Sequence, residues 1–118
     1  MKNKNKFALL FFFINLFLYS YSQSSESFNF DITEIEIKEN GNKFIGKNKG
    51  TATSIDGTKI DGDSFEYNKI ENILISSGKV KIYDPKNNVT IYSDKITYFK
   101  NNELILTDGN SRVIGPNF

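Results

Sequence analysis

The sequence predicts an all-β protein, an antiparallel meander, roll or sandwich assembled from repeats of about thirty residues. Three observations predict it. Beyond residue 23, apolar residues recur with a period near two, the spacing that puts them on one face of a strand. Turn-forming clusters interrupt the chain at intervals of roughly 10 to 20 residues, with no helical apolar stripe between them. The pattern then returns on itself further along the chain.

The first 22 residues stand apart. Lys2, Lys4 and Lys6 form a positive start, and Phe7 to Leu18 is a short apolar run. Ser20-Tyr21-Ser22 places small residues at the −3 and −1 positions of a cut before Gln23. This is the plan of a secretory signal peptide. The run is shorter than the roughly 20 residues a spanning helix needs, so cleavage is expected, with an uncleaved anchor as the alternative. No Cys follows the run, which excludes a lipoprotein. Residues 23–29 are read as a disordered lead-in and 30–118 as the β domain.

Within the domain the strands follow in order. Phe28, Phe30 and Ile32 alternate, then Ile35 and Ile37 against Glu34, Glu36 and Lys38. Phe65 and Tyr67 flank Glu66, Val80 and Ile82 alternate with Lys79 and Lys81, and Val89 and Ile91 flank Thr90. Ile96 and Tyr98 alternate with Lys95 and Thr97, Leu104 and Leu106 bracket Ile105, and Arg112-Val113 follows. The expected turns are Asn40-Gly41-Asn42, Asp56-Gly57, Ser77-Gly78, Asp84 to Asn88, Asn101-Asn102 and Asp108-Gly109-Asn110. Asp56-Gly57 suits a tight hairpin, because both residue types tolerate positive φ.

The repeat has an offset of 31 residues. It superposes Asp63 on Asp94, Tyr67 on Tyr98, Lys69 on Lys100 and Gly78 on Gly109. Between them Phe65 falls on Ile96, and Ile73-Leu74-Ile75 on Leu104-Ile105-Leu106. A weaker upstream copy sets Ile35-Glu36-Ile37 on Phe65-Glu66-Tyr67 and Phe44-Ile45 on Ile73-Leu74. Each unit reads strand, turn, strand, Gly turn, strand. Stacked units of this length bury their apolar faces on one another.

Composition excludes several functions. The chain has no Cys, His or Trp, which removes disulfides, Cys/His zinc sites and catalysis by Cys or His. Without the leader, 12 Lys and Arg face 14 Asp and Glu, a formal charge of −2. The charges are interspersed, so a nucleic-acid partner is not expected.

The units Asp63 to Ile82 and Asp94 to Asn110 resemble the repeat of the OstA-like (organic solvent tolerance) family. Its pattern is an acid, an apolar-polar-Tyr strand, a polar turn, an apolar trio, a Gly and an alternating strand. The family includes the periplasmic bridge protein of lipopolysaccharide transport, its inner-membrane-anchored relative and the N-terminal domain of the outer-membrane assembly barrel. The likeness spans about Phe30 to Ile114. It implies an open β-jellyroll, a folded-over sheet whose inner face is an apolar groove for the acyl chains of lipid A. It also implies edge-strand stacking of such domains into a bridge, no catalysis and no cofactor. The location implied is the periplasm, peripheral to membranes and associated with the outer one. Whether the chain is a short bridge unit or the first part of a longer assembly protein is left open.

The residues expected to line the groove are Phe65, Tyr67, Ile73, Ile75, Val80, Ile82, Ile91, Ile96, Tyr98, Leu104, Leu106 and Val113. The alternative is that they form an ordinary sandwich core without a lipid, in a structural or adhesive repeat protein. Asp56, Asp61 and Asp63 lack the spacing of a calcium loop and are read as turn residues. Glu34, Glu36, Asp94 and Glu103 are read as solvated rather than as an acid/base pair. Lys79, Lys81, Lys95, Lys100 and Arg112 are read as a wet face, with lipid phosphates at the groove rim as the alternative. Asn88-Val89-Thr90 matches a glycosylation acceptor, of weight only in a eukaryotic secreted protein.

Overall fold

The computed structural model describes residues 27–117. The expected leader lies outside them. The described chain forms eight antiparallel strands: β1 (Phe28–Lys38), β2 (Lys43–Ser54), β3 (Lys59–Gly62), β4 (Ser64–Asn68), β5 (Ile73–Asp84), β6 (Val89–Phe99), β7 (Leu104–Asp108) and β8 (Arg112–Ile114). No α-helix occurs among the described residues, and two 3₁₀ turns link β1 to β2 and β6 to β7. Strand β1 begins inside the segment expected to be a disordered lead-in. Phe28 is the reason: its ring is buried edge-on against Tyr67 and Tyr98, at centroid distances of 5.4 and 5.7 Å.

The sheet is folded over into two walls. Four long strands, β1, β2, β5 and β6, run through both, while β3, β7 and their successors β4, β8 each serve one wall. In the first wall β3 pairs with 50–53 of β2 and 81–83 of β5, and β8 pairs with 90–92 of β6. In the second wall β4 pairs with 43–46 of β2 and 73–77 of β5, and β7 pairs with 95–99 of β6. This is the folded-over, jellyroll-like antiparallel sheet that the sequence predicts.

Cross-strand pairs lie on one face, so the register gives the core directly. One row, Phe30–Ala52–Ile60–Ile82–Ile91–Val113, crosses the first wall. Another, Ile37–Phe44–Tyr67–Leu74–Tyr98–Ile105, crosses the second. The rows face each other. Phe30 of the first wall touches Phe44 and Tyr67 of the second, at 5.8 and 5.5 Å between centroids. Ile60, Leu74, Ile82 and Ile96 are fully enclosed between the walls.

The fold line passes through the repeat's own residues. A glycine at φ +83 (Gly78) and another at φ +86 (Gly109) turn the chain there, a conformation L side chains resist. A Cβ on Gly78 would meet the Asp63 Cβ at 2.7 Å, and one on Gly109 the Asp94 Cβ at 2.8 Å. The Asp–Gly pairing is thus the same in both copies. The Ser93 hydroxyl closes the corner by donating a hydrogen bond, with Lys95 O at 2.9 Å and Asp108 O at 3.1 Å. Ser77-Gly78 is not a turn between strands, as expected, but a bulge inside the continuous β5, where the register shifts between Ser77 and Val80. In the upstream copy Phe44 pairs with Ile37 as Leu74 pairs with Tyr67, so Phe44 matches Leu74 and not Ile73.

The tyrosines recur in role as well as position. Tyr67 donates its hydroxyl to Asn72 Oδ1 at 2.6 Å and Tyr98 to Glu103 Oε2 at 2.8 Å, each across five residues. Both acceptors sit at positive φ in the turn that follows. The turns also stack: Lys69 N donates to Asn42 O at 2.8 Å and Lys100 N to Asn72 O at 3.1 Å.

Candidate functional site: a cleft between the two walls

The walls meet tightly at the β1 end and part toward the β7/β8 end. At the closed end Phe28, Phe30, Phe44 and Tyr67 fill the gap with rings, in five tilted or edge-on contacts that join every pair but Phe28 and Phe44. At the other end a cleft of about 470 Å³ remains. Ile82, Val89 and Ile91 of the first wall and Tyr98 and Ile105 of the second line it. Asp56, Asp84, Lys86, Asn87 and Glu103 stand round it.

The polar groups round the cleft are held in place. Asp84 caps its own turn by accepting from Lys86 N at 3.0 Å and Asn87 N at 3.3 Å. Asp56 accepts from the Ser54 hydroxyl and from Thr58 N, and chiefly the Ser54 bond holds its carboxyl below the usual aspartate value. Glu103 accepts from the Lys100 ammonium and from Tyr98, and these bonds, Lys100 first, hold its carboxyl below the usual glutamate value. Burial, and then the Glu103 bond, push the Tyr98 hydroxyl well above the usual phenol value. Tyr98 is therefore a neutral, oriented donor beneath an ionised carboxylate. The cleft is apolar within and charged at its rim.

The expected lining residues fall into three groups. Phe65, Tyr67, Val80, Ile82, Ile96 and Tyr98 lie on the inner faces and are buried. Ile91 and Val113 lie on the same row at the open end, Ile91 half-buried and Val113 48% exposed. Ile73, Ile75, Leu104 and Leu106 require correction: they lie on the back of the second wall, in the pairs Ile73–Phe99–Leu104 and Ile75–Thr97–Leu106. The inward residue of each apolar trio is the middle one, Leu74 or Ile105, because that is the one paired with Tyr98. Sequence reasoning also passed over Val89 and the aromatics Phe28, Phe30 and Phe44. Their alternation was visible, but not the contact between walls that gives them a role.

The other candidates are dispersed. Asp61 accepts from the Thr51 hydroxyl at 2.6 Å, and Asp63 packs beside Gly78, away from Asp56. Glu34 accepts from Asn48 Nδ2 at 2.7 Å, Glu36 faces Lys38 and Lys47, and Asp94 accepts from Asn110 N at 2.9 Å. Among the described residues no three carboxylates come together as a metal site would need, and no helix is long and apolar enough to cross a membrane.

Fold and cleft together define a folded-over β-sheet protein with an apolar slot and two free sheet edges. None of the family models, curated proteins or solved structures compared with the chain matches it.

Proposed function

We propose that this protein is a non-catalytic carrier domain, one that shields the acyl chains of lipopolysaccharide during export to the outer membrane. The observation that carries the proposal is the parting of the walls over Val89, Ile91 and Ile105, with the buried Ile82 and Tyr98 at the bottom of the cleft. A slot with apolar walls and a polar mouth suits an amphiphile whose chains enter and whose head stays wet. Each buried acyl methylene contributes about 0.8 kcal/mol, so a few chains suffice without specific polar chemistry.

The free edges support stacking with further domains of the same kind. Strand β1 forms one edge of both walls, and β7 and β8 form the other. The inner rows are uncovered at opposite ends: Ile35 and Ile37 of the second wall at the β1 edge, Val113 of the first wall at the β8 edge. A second β1 laid along β7 and β8 would continue both rows and cover these residues. Unpaired edge backbone then supplies the hydrogen bonds.

Photo-crosslinkers at Ile91 and Ile105, in cells exporting the protein, test the carrier reading. Capture of lipopolysaccharide there, and not from Lys47 on the back of the second wall, is the expected result. Capture of protein alone at all three positions would remove it. The second reading is a structural or adhesive repeat protein with no lipid. The aromatic closure at the β1 end favours it, since there the walls form an ordinary packed core. Mass spectrometry of the exported N-terminus checks the location: a start at Gln23 fits a periplasmic protein, and an intact Met1 an anchored one.

A further inference from the structure

The back of the first wall carries a feature unrelated to the cleft. The row Asp31–Thr51–Asp61–Lys81–Tyr92–Arg112 crosses it, acidic at its β1 end and basic at its β8 end, and beside its basic part lie Lys59, Tyr83 and Ile114. The Tyr92 ring sits between two cations, with Lys81 Nζ at 6.0 Å and Arg112 Cζ at 4.9 Å from its centroid. Lys79 borders the same shallow depression. Lys59, Lys79, Lys81, Tyr83, Arg112 and Ile114 are all exposed.

The charges on this face are unbalanced. Among the described residues none of Lys59, Lys79, Lys81 and Arg112 forms an ion pair with a carboxylate. The acids of this face keep their charge: Asp61 accepts from the Thr51 hydroxyl, Asp94 from Asn110 N, and Asp31 continues the row at its β1 end, so the cation excess lies at Lys79, Lys81 and Arg112. The back of the second wall is the reverse: Lys38 and Lys47 face Glu36, and Lys43 faces Glu66. Side chains stand roughly perpendicular to a sheet, so the two rows present cations and tyrosines in one plane.

We infer that this face docks on an anionic membrane surface, with Tyr83 and Tyr92 at headgroup level and the four cations against lipid phosphates. Tyrosine suits that depth because its ring is apolar and its hydroxyl polar. Clustered Lys and Arg supply the attraction to anionic lipid. A soluble polyanion would engage the cations but would leave the tyrosines and Ile114 without a role. Docking by the back of the wall leaves the cleft and both sheet edges open, so the inference does not depend on what the cleft binds.

The test is co-sedimentation of the exported protein with vesicles of neutral phosphatidylcholine, and of the same lipid with about a third phosphatidylglycerol. Any leader still attached contributes to both, and the difference reports the face. Binding should rise on the anionic vesicles and fall as salt shortens the Debye length. Each cation lost should weaken the anionic increment about fivefold, so Lys81→Gln with Arg112→Gln should weaken it about 25-fold. Tyr92→Ser with Tyr83→Ser should also weaken it, with circular dichroism confirming the sheet. Lys43→Gln with Lys47→Gln changes net charge equally on the other face and should leave it intact. An absent anionic increment, or equal loss in the Lys43/Lys47 variant, overturns the inference. So does vesicle binding indifferent to the tyrosines with equal binding to soluble polyphosphate, which would make the partner a polyanion.

Discussion

Gly62 and Ser76 make a sharp test of how the walls are held. Gly62 ends β3, and the fully buried Ser76 sits behind it on β5, donating its hydroxyl to Ser64 O at 3.0 Å. A Cβ on Gly62 would fall well inside contact distance of the Ser76 Oγ, yet 3.5 Å from the Ser76 Cβ, which is ordinary packing. Gly62→Ala must therefore drive the hydroxyl off its acceptor. Over-packing a tight site costs about 1–3 kcal/mol and a lost buried hydrogen bond about 1 kcal/mol. The single variant should lose about 2–4 kcal/mol. Ser76→Ala alone should lose about 1 kcal/mol. The double variant keeps that loss but removes the clash, so it should be more stable than Gly62→Ala. Urea unfolding followed by circular dichroism reads this. With a slope of about 1–1.5 kcal/mol/M, the double variant's midpoint should recover by about 1 M or more relative to Gly62→Ala. A double variant as unstable as the two singles summed would refute the packing argument.

Leu74→Ala should cost about 3–5 kcal/mol and Leu104→Ala under about 1 kcal/mol in the same assay, because only the first is enclosed between the walls. Gly41→Ala, at φ +89 with nothing within 4 Å of the new Cβ, should cost about 1 kcal/mol. Gly78→Ala adds the collision with Asp63 and should cost about 3 kcal/mol or more, read from the shift in melting temperature. On acidification the signs follow from two carboxyls held below their ordinary values of 4.5 (Glu103) and 3.8 (Asp56). Each contributes stability that is complete above its ordinary value and is lost as the pH falls through the lowered one. Stability should thus stay flat down to about pH 5 and decline below about pH 4. Tyr98→Phe, which removes one of the Glu103 bonds, should make that decline shallower.

Much of the fold was legible because the repeat encodes it twice. Asp63 and Asp94, Gly78 and Gly109, Tyr67 and Tyr98 were aligned before their roles were known. In the fold the first two pairs turn the corners and the third binds the turn that follows. What failed was the phase within an apolar trio. Ile73-Leu74-Ile75 and Leu104-Ile105-Leu106 satisfy a period of two in either phase, so composition does not say which residue points inward. The phase is set by Asn72 and Glu103, which at positive φ end the turns and fix the pairing of Leu74 with Tyr67 and of Ile105 with Tyr98. Asn72 is of a type that tolerates positive φ, but nothing in the side chain of Glu103 announces it.

The sequence by itself determined that residues beyond the apolar start form strands, that the strands recur as a unit, and that no Cys or His chemistry is available. These properties are local: alternation, turn residues and composition act over a few neighbours. The tertiary structure alone decided that Gly78 bends one strand while Gly109 separates two, and that Phe28 belongs to the core. It also decided that the walls close over aromatics at one end and part over Ile91 and Ile105 at the other. All of these depend on contacts between walls that are far apart in the chain, and no local pattern carries the distance between two faces.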